Sequence, residues 1–280
     1  MIEISNMLKK YGIKPNKFMG QNFLIDEDVL NKIIESANLK PDDIILEVGP
    51  GLGILTIELA KRVKKVIAIE KDAILCQTLT KILEDEKISN VELINEDILK
   101  VSPPEADQSL TGNYKIVANI PYYLTSPLIR KFLEINPPAG GKPNEIILMV
   151  QKEVAERIIA QPPHINLLAI SVQFYAKPEI ISMVSKNSFS PVPKVDSAII
   201  KIIPHVGHTM SYINTKEFFE LVKIGFSSKR KMLINNLKNY KIKNLKFEEI
   251  FKKTGINLKA RAENLSINDW LELFHNIGLS

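Results

Sequence analysis

The chain is 280 residues long, 45% hydrophobic and carries a net charge of +5, enough apolar material for a full domain and a smaller companion. No apolar run is long enough to span a bilayer, because charges such as Glu47, Lys61 and Glu70 interrupt them. The lone Cys76 excludes an intramolecular disulfide and reads as a small core residue, and the histidines, His164, His205, His208 and His275, show no metal-ligand pattern, so no metal is expected.

The opening Met1-Ile2-Glu3 has an early acid and no apolar leader, which predicts a cytoplasmic protein. Lys9, Lys10, Lys14 and Lys17 form a first basic cluster. From residue 44 to 205, β-rich runs alternate with helical segments, the pattern of a parallel sheet covered by helices. Strands are predicted at Ile44–Val48, Val66–Glu70, Val91–Ile94, Ile116–Ala118 and Ile146–Val150, with helices at Leu55–Val63 and Lys152–Ile159. Two further runs, within Leu168–Tyr175 and Asp196–Ile203, are read as the sixth and seventh strands, joined through Phe189-Ser190-Pro191-Val192-Pro193 as an antiparallel edge hairpin. Beyond His205 the strand signal stops. Helices are expected at Thr215–Asn239, Phe247–Thr254 and Ile267–Asn276, with Trp270 and Phe274 in their core. A sheet domain over 1–205 and a small helical domain over 206–280 follow.

Three segments carry chemistry. The loop Glu47-Val48-Gly49-Pro50-Gly51-Leu52-Gly53 follows the first strand, where glycines let backbone approach a ligand; alone it is also an ordinary strand-to-helix turn. Glu70 ends the second strand, placed to accept hydrogen bonds from the ribose hydroxyls of an adenosine. Two cofactor classes compete here. A nicotinamide dinucleotide favours Gly-x-Gly-x-x-Gly, whereas Gly-x-Gly-x-Gly is closer to the loop that seats S-adenosylmethionine. Asp97, after Glu96, is placed either to accept an adenine amine or to cap a helix at Ile98-Leu99. Finally, Asn119-Ile120-Pro121-Tyr122 joins an amide, a rigid turn and an aromatic face at a strand end. The Asn119 oxygen and the Ile120 carbonyl can accept hydrogen bonds from an exocyclic amine while the Tyr122 ring stacks on its base.

A second basic cluster, Lys229-Arg230-Lys231, is either a solvated helix face or a phosphate contact; two clusters on a basic chain favour nucleic acid.

These segments, with Gln21-Asn22-Phe23-Leu24, Gln151-Lys152-Glu153-Val154, Phe189-x-Pro191-x-Pro193-Lys194-Val195-Asp196-Ser197 and Arg261-Ala262-Glu263-Asn264-Leu265-Ser266, resemble the small-subunit ribosomal RNA adenine dimethyltransferases, the KsgA/RsmA family, over nearly the whole chain. The resemblance implies an α/β, Rossmann-like seven-stranded methyltransferase sheet, S-adenosylmethionine as donor, and two adjacent adenines near the 3′ end of small-subunit RNA as acceptors, each dimethylated at N6. The partner it implies is the small ribosomal subunit or its precursor RNA, met by a monomer away from any membrane. Position by position, Asn22, Leu24, Gly49, Gly51, Gly53, Glu70, Asp97 and Asn119 are its donor contacts. Asn119, Pro121 and Tyr122 frame the target amine, with Phe189 as a second face, and Lys229, Arg230 and Lys231 meet RNA. The chain departs from the family pattern in Phe226-Ser227-Ser228-Lys229-Arg230-Lys231, where the family often reads Phe-x-Gln-Arg-Arg-Lys, and in Gln161-Pro162-Pro163-His164-Ile165-Asn166, segments that bear on RNA contact. The rivals are a large-subunit RNA adenine methyltransferase, a ribosome-assembly binding protein and a nicotinamide oxidoreductase.

Overall fold

The computed structural model describes residues 4–16, 20–101, 113–134, 141–205, 213–238, 240 and 246–278. Met1–Glu3, Lys17, His208 and Asn239 lie outside them. Nine strands are described: β1 (Phe23–Leu24), β2 (Ile44–Val48), β3 (Lys65–Glu70), β4 (Val91–Asn95), β5 (Lys115–Asn119), β6 (Glu145–Gln151), β7 (Ala176–Val184), β8 (Phe189–Ser190) and β9 (Ser197–Pro204). Seven of them form one mixed sheet in the order β4-β3-β2-β5-β6-β9-β7, while β1 and β8 pair separately. Neighbours from β4 to β6 run parallel and β9 runs antiparallel to β6. The central strands are buried along nearly their whole length, as strands covered on both faces must be.

The helices start where the sequence supplies caps. Asp26 accepts hydrogen bonds from Asp28 N–H and Val29 N–H to open the helix Glu27–Ser36, and Asp72 does the same for Ala73–Asp85 through Ile74 and Leu75. At the other end of Glu27–Ser36, Lys115 Nζ donates to the carbonyls of Ala37 and Asn38 and pairs with Asp43, and Lys201 Nζ reaches the Ser36 carbonyl. Two ammonium groups at a helix C-terminus complement its partial negative charge.

The chain divides into two compact units, Met1–Ala155 with Lys177–Pro204, and Glu156–Ala176 with His205–Ser280. Residues 156–176, placed by the sequence within 1–205, group with the helical unit that resumes at His205. Leu168–Tyr175 accounts for this. Expected as a strand, it falls in the helix Leu167–Gln173, its C-cap Phe174 and the turn at Tyr175, because Asn166 caps Leu168 N–H and Ala169 N–H. Ile165, Ala169, Ile170 and Phe174 then pack in one core with Phe218, Phe251, Trp270 and Phe274. The missing strand is β7, whose edge position tolerates Lys177 and Pro178. The expected helix Thr215–Asn239 is likewise two, Thr215–Gly225 and Leu233–Leu237. Buried Asn236 donates to the carbonyls of Gly225 and Ser228 and fixes the break, and Gly225 packs so closely on Trp270 that a Cβ would collide with it.

Candidate functional site

In the first unit, the loops at the carboxyl ends of β2, β3, β4 and β5 surround one cleft, joined by the arm Gly20–Leu24 and by Phe189. Asn22, Leu24, Gly49, Gly51, Glu70, Asp97, Asn119, Pro121, Tyr122 and Phe189 all line it. Gly53 does not. It caps the helix Ile54–Ala60 at φ +82° and packs against Leu79, where a Cβ would collide, so its smallness serves helix packing.

The glycine turn is shaped by its neighbours. Gly49 and Gly51 sit at φ +67° and +60°, conformations that L side chains rarely adopt. A Cβ on Gly51 would stand 3.2 Å from the Phe23 ring. Pro121 occupies the space beside two of the glycines: a Cβ on Gly49 would lie 3.6 Å from its Cδ, and one on Gly20 3.7 Å from its Cβ.

Glu70 is 6% exposed, and its two carboxylate oxygens accept separate backbone hydrogen bonds, Oε2 from Gly51 N–H at 3.2 Å and Oε1 from Asp72 N–H at 2.8 Å. Burial raises its pKa, and those N–H groups oppose the rise. Beside it Glu47 is 2% exposed, with Oε2 lacking any hydrogen-bond partner among the described residues. Burial pushes its pKa up to about 8, with neighbouring Thr56 opposing the rise and the charge of Glu70 adding to it.

At the rim, Asp97 Oδ1 accepts from Leu99 N–H at 3.0 Å and Oδ2 pairs with Lys71 Nζ at 2.9 Å. Burial works against its charge, but these partners outweigh it and hold its pKa below the usual range. Asp97 thus caps a turn, not the helix expected at Ile98-Leu99.

On the opposite wall Asn119 ends β5 and Tyr122 opens a short 3₁₀ turn, Tyr122–Leu124. The Tyr122 hydroxyl is 2.8 Å from Ser197 Oγ, and burial raises its pKa. Phe189 lines the cleft but is only 1% exposed, so its ring is largely packed already; the open aromatic is Tyr123, 54% exposed. Sequence reading passed over Tyr123 and Lys71, and met Ser197 only inside a resemblance motif, with no role. The signal for the first two was adjacency to Tyr122 and Glu70, whereas nothing local marked Ser197. Lys229, Arg230 and Lys231 belong to the second unit, exposed in the turn between Thr215–Gly225 and Leu233–Leu237.

Among the described residues, no helix is long and apolar enough to cross a membrane, and no group of three or more His, Cys, Asp or Glu could hold a metal ion.

The family model "Ribosomal RNA adenine dimethylase" matches residues 12–278. The chain is 42% identical over 275 residues to the ribosomal RNA small subunit methyltransferase A of Dehalococcoides mccartyi, covering 98% of this chain and 92% of that protein. It is 40% identical over 283 residues to the enzyme of the same name from Bacillus pumilus, covering 97% and 94%. Among solved structures, a dimethyladenosine transferase from Plasmodium falciparum superposes with a TM-score of 0.78 at 31% identity, over 91% of this chain and 97% of that one. The 23S rRNA methyltransferase ErmE gives 0.74 at 28% identity, over 92% and 100%. The chain therefore belongs to the ribosomal RNA adenine dimethylase family.

Proposed function

We propose that the cleft binds S-adenosylmethionine and dimethylates N6 of two adjacent adenines near the 3′ end of small-subunit ribosomal RNA, with the protein acting as a cytoplasmic monomer. The observation that carries this reading is the meeting, in one cleft, of a Glu70 carboxylate held by two backbone N–H groups and the Asn119–Tyr122 loop. The small-subunit assignment draws on relatives of 40–43% identity that bear that name. The 28% identity to ErmE is lower, which favours it over the large-subunit alternative.

The residues present fit the donor. Glu70 offers oxygen lone pairs to two ribose hydroxyls. Asp97 can accept an adenine amine beside Lys71. The orphaned Glu47 oxygen, with the glycine turn and Asn22, suits a polar amino-acid tail. S-adenosylmethionine supplies a methyl carbon activated by its sulfonium.

The chain's own task is to prepare the acceptor, whose amine lone pair is delocalised into the adenine ring. Hydrogen bonds from that amine to the Asn119 oxygen and the Ile120 carbonyl favour a pyramidal nitrogen, an interaction that strengthens as the transition state forms. Tyr122 holds the base by its ring, which offsets part of the unstacking cost of a few kcal/mol. Its hydroxyl, tied to Ser197 and raised in pKa, stays neutral and does not serve as a base. The remaining contribution is alignment. Incubation with labelled S-adenosylmethionine and undermethylated small or large subunits, followed by mapping of the label, tests the reading. Label confined to adjacent adenines of the small subunit is expected, and label only on large-subunit RNA overturns it.

A further inference from the structure

The run Lys194-Val195-Asp196-Ser197 entered the sequence reading only as part of a resemblance, yet Ser197 meets the Tyr122 hydroxyl and Asp196 holds the turn that precedes Phe189. Ser197 begins β9 opposite Gln151 and is 0% exposed. Its hydroxyl is 2.8 Å from that of Tyr122. Asp196, one residue earlier, accepts a hydrogen bond from Lys186 N–H through Oδ1 and one from Lys152 N–H through its carbonyl, both at 3.0 Å. The Lys186 bond anchors the turn Lys186–Ser188, which leads directly into Phe189. The same turn is held from its far side, where Ser188 Oγ donates to Asp26 and Ser188 O accepts from Ile25 N–H.

We infer that Ser197 is a positioning residue for methyl transfer, fixing the Tyr122 ring against which the target base stacks, while Asp196 beside it anchors the turn that leads into Phe189. The inference rests on the proposed base-binding role of Tyr122. Its physical basis is the difference between a ring that is present and a ring that is held. The 3₁₀ turn that opens at Tyr122 runs into the helix Thr125–Leu133, and Thr125 Oγ1 donates to the Tyr122 carbonyl, so the backbone is braced while the tether at the para position restricts the tilt of the ring. A tethered ring is ordered before the base arrives and loses less freedom on stacking. A fully buried partner makes the tether hard for water to replace.

The test is a double-variant cycle on the full-length protein. Ser197→Ala and Tyr122→Phe each remove one end of the tether and leave the ring in place. Each is expected to lower kcat on undermethylated small subunits by about three- to tenfold, the loss of one neutral hydrogen bond. Donor affinity by calorimetry stays within about twofold, since neither hydroxyl belongs to the donor contacts. The double variant should be no slower than the worse single one, because both remove the same interaction. A general packing role for Ser197 would instead give additive losses and weaker donor binding, and that result overturns the inference. So does full activity of Ser197→Ala beside an active wild type, which leaves the proposed function intact. A wild type that labels no small-subunit RNA removes both.

Discussion

Leu24 and Phe189 are direct partners in the antiparallel ribbon of β1 and β8, so the arm that carries Asn22 and the wall that carries the second aromatic are one hydrogen-bonded piece. A change on one side is therefore felt on the other. Phe189→Ala should cost about 3–5 kcal/mol of stability, as expected for a ring 1% exposed, and it should weaken donor binding as well as turnover. Denaturant melts with donor calorimetry check this; unchanged donor affinity would show that the ribbon transmits nothing.

Glu70→Ala removes the acceptor that Gly51 N–H and Asp72 N–H hold in place. Loss of charge-assisted hydrogen bonds to ribose hydroxyls is expected to weaken donor binding about ten- to a hundredfold. Unchanged affinity by calorimetry would remove Glu70 from the donor site.

Asn119→Ala should separate binding from chemistry. Removing an acceptor that strengthens in the transition state is expected to lower kcat about a hundredfold or more, with a much smaller change in donor affinity. Equal losses in both would make Asn119 a cofactor ligand only.

Glu47 makes a prediction about pH. Its carboxyl is raised from 4.5 to about 8 by burial and by Glu70, so between those values the folded protein holds a proton that the unfolded chain releases. Its contribution to stability is therefore full at acid pH and is lost as pH rises through that window. Glu47→Gln lacks the titration. Its urea midpoint relative to wild type should climb across the window and level off above it, whereas a constant difference would mean that the carboxyl is ionised throughout.

Lys229, Arg230 and Lys231 project from a turn instead of a helix face, so the solvated helix face weighed from sequence is not the arrangement found. If they meet phosphates, each neutralised residue should reduce the salt slope of RNA binding by about 0.7–0.9. A slope untouched by the triple substitution would leave them as plain solvated charges.

Much of the sheet was legible because its central strands are short apolar runs ended by glycine, acid or proline; β2 was read to the residue and β3 to within one. The errors share a cause. Leu168–Tyr175 is apolar enough for strand or helix, and the Asn166 cap that decides between them is a single side chain. β7 is an edge strand whose Lys177, Pro178 and Glu179 hide its alternation. The cleft was readable where chemistry is local, in the glycine turn and Asn119–Tyr122, but Gly53 follows the same spacing while serving Leu79. The Tyr122–Ser197 bond joins residues 75 apart, a separation that no periodicity encodes.

The placement of Pro121 against Gly20 and Gly49 has a consequence for how such an enzyme can change. Pro121 lines the cleft as a ring closed onto its own backbone, with no freely rotating side chain that could drift. Substitutions on the outer surfaces can therefore accumulate while this wall of the cleft keeps its place.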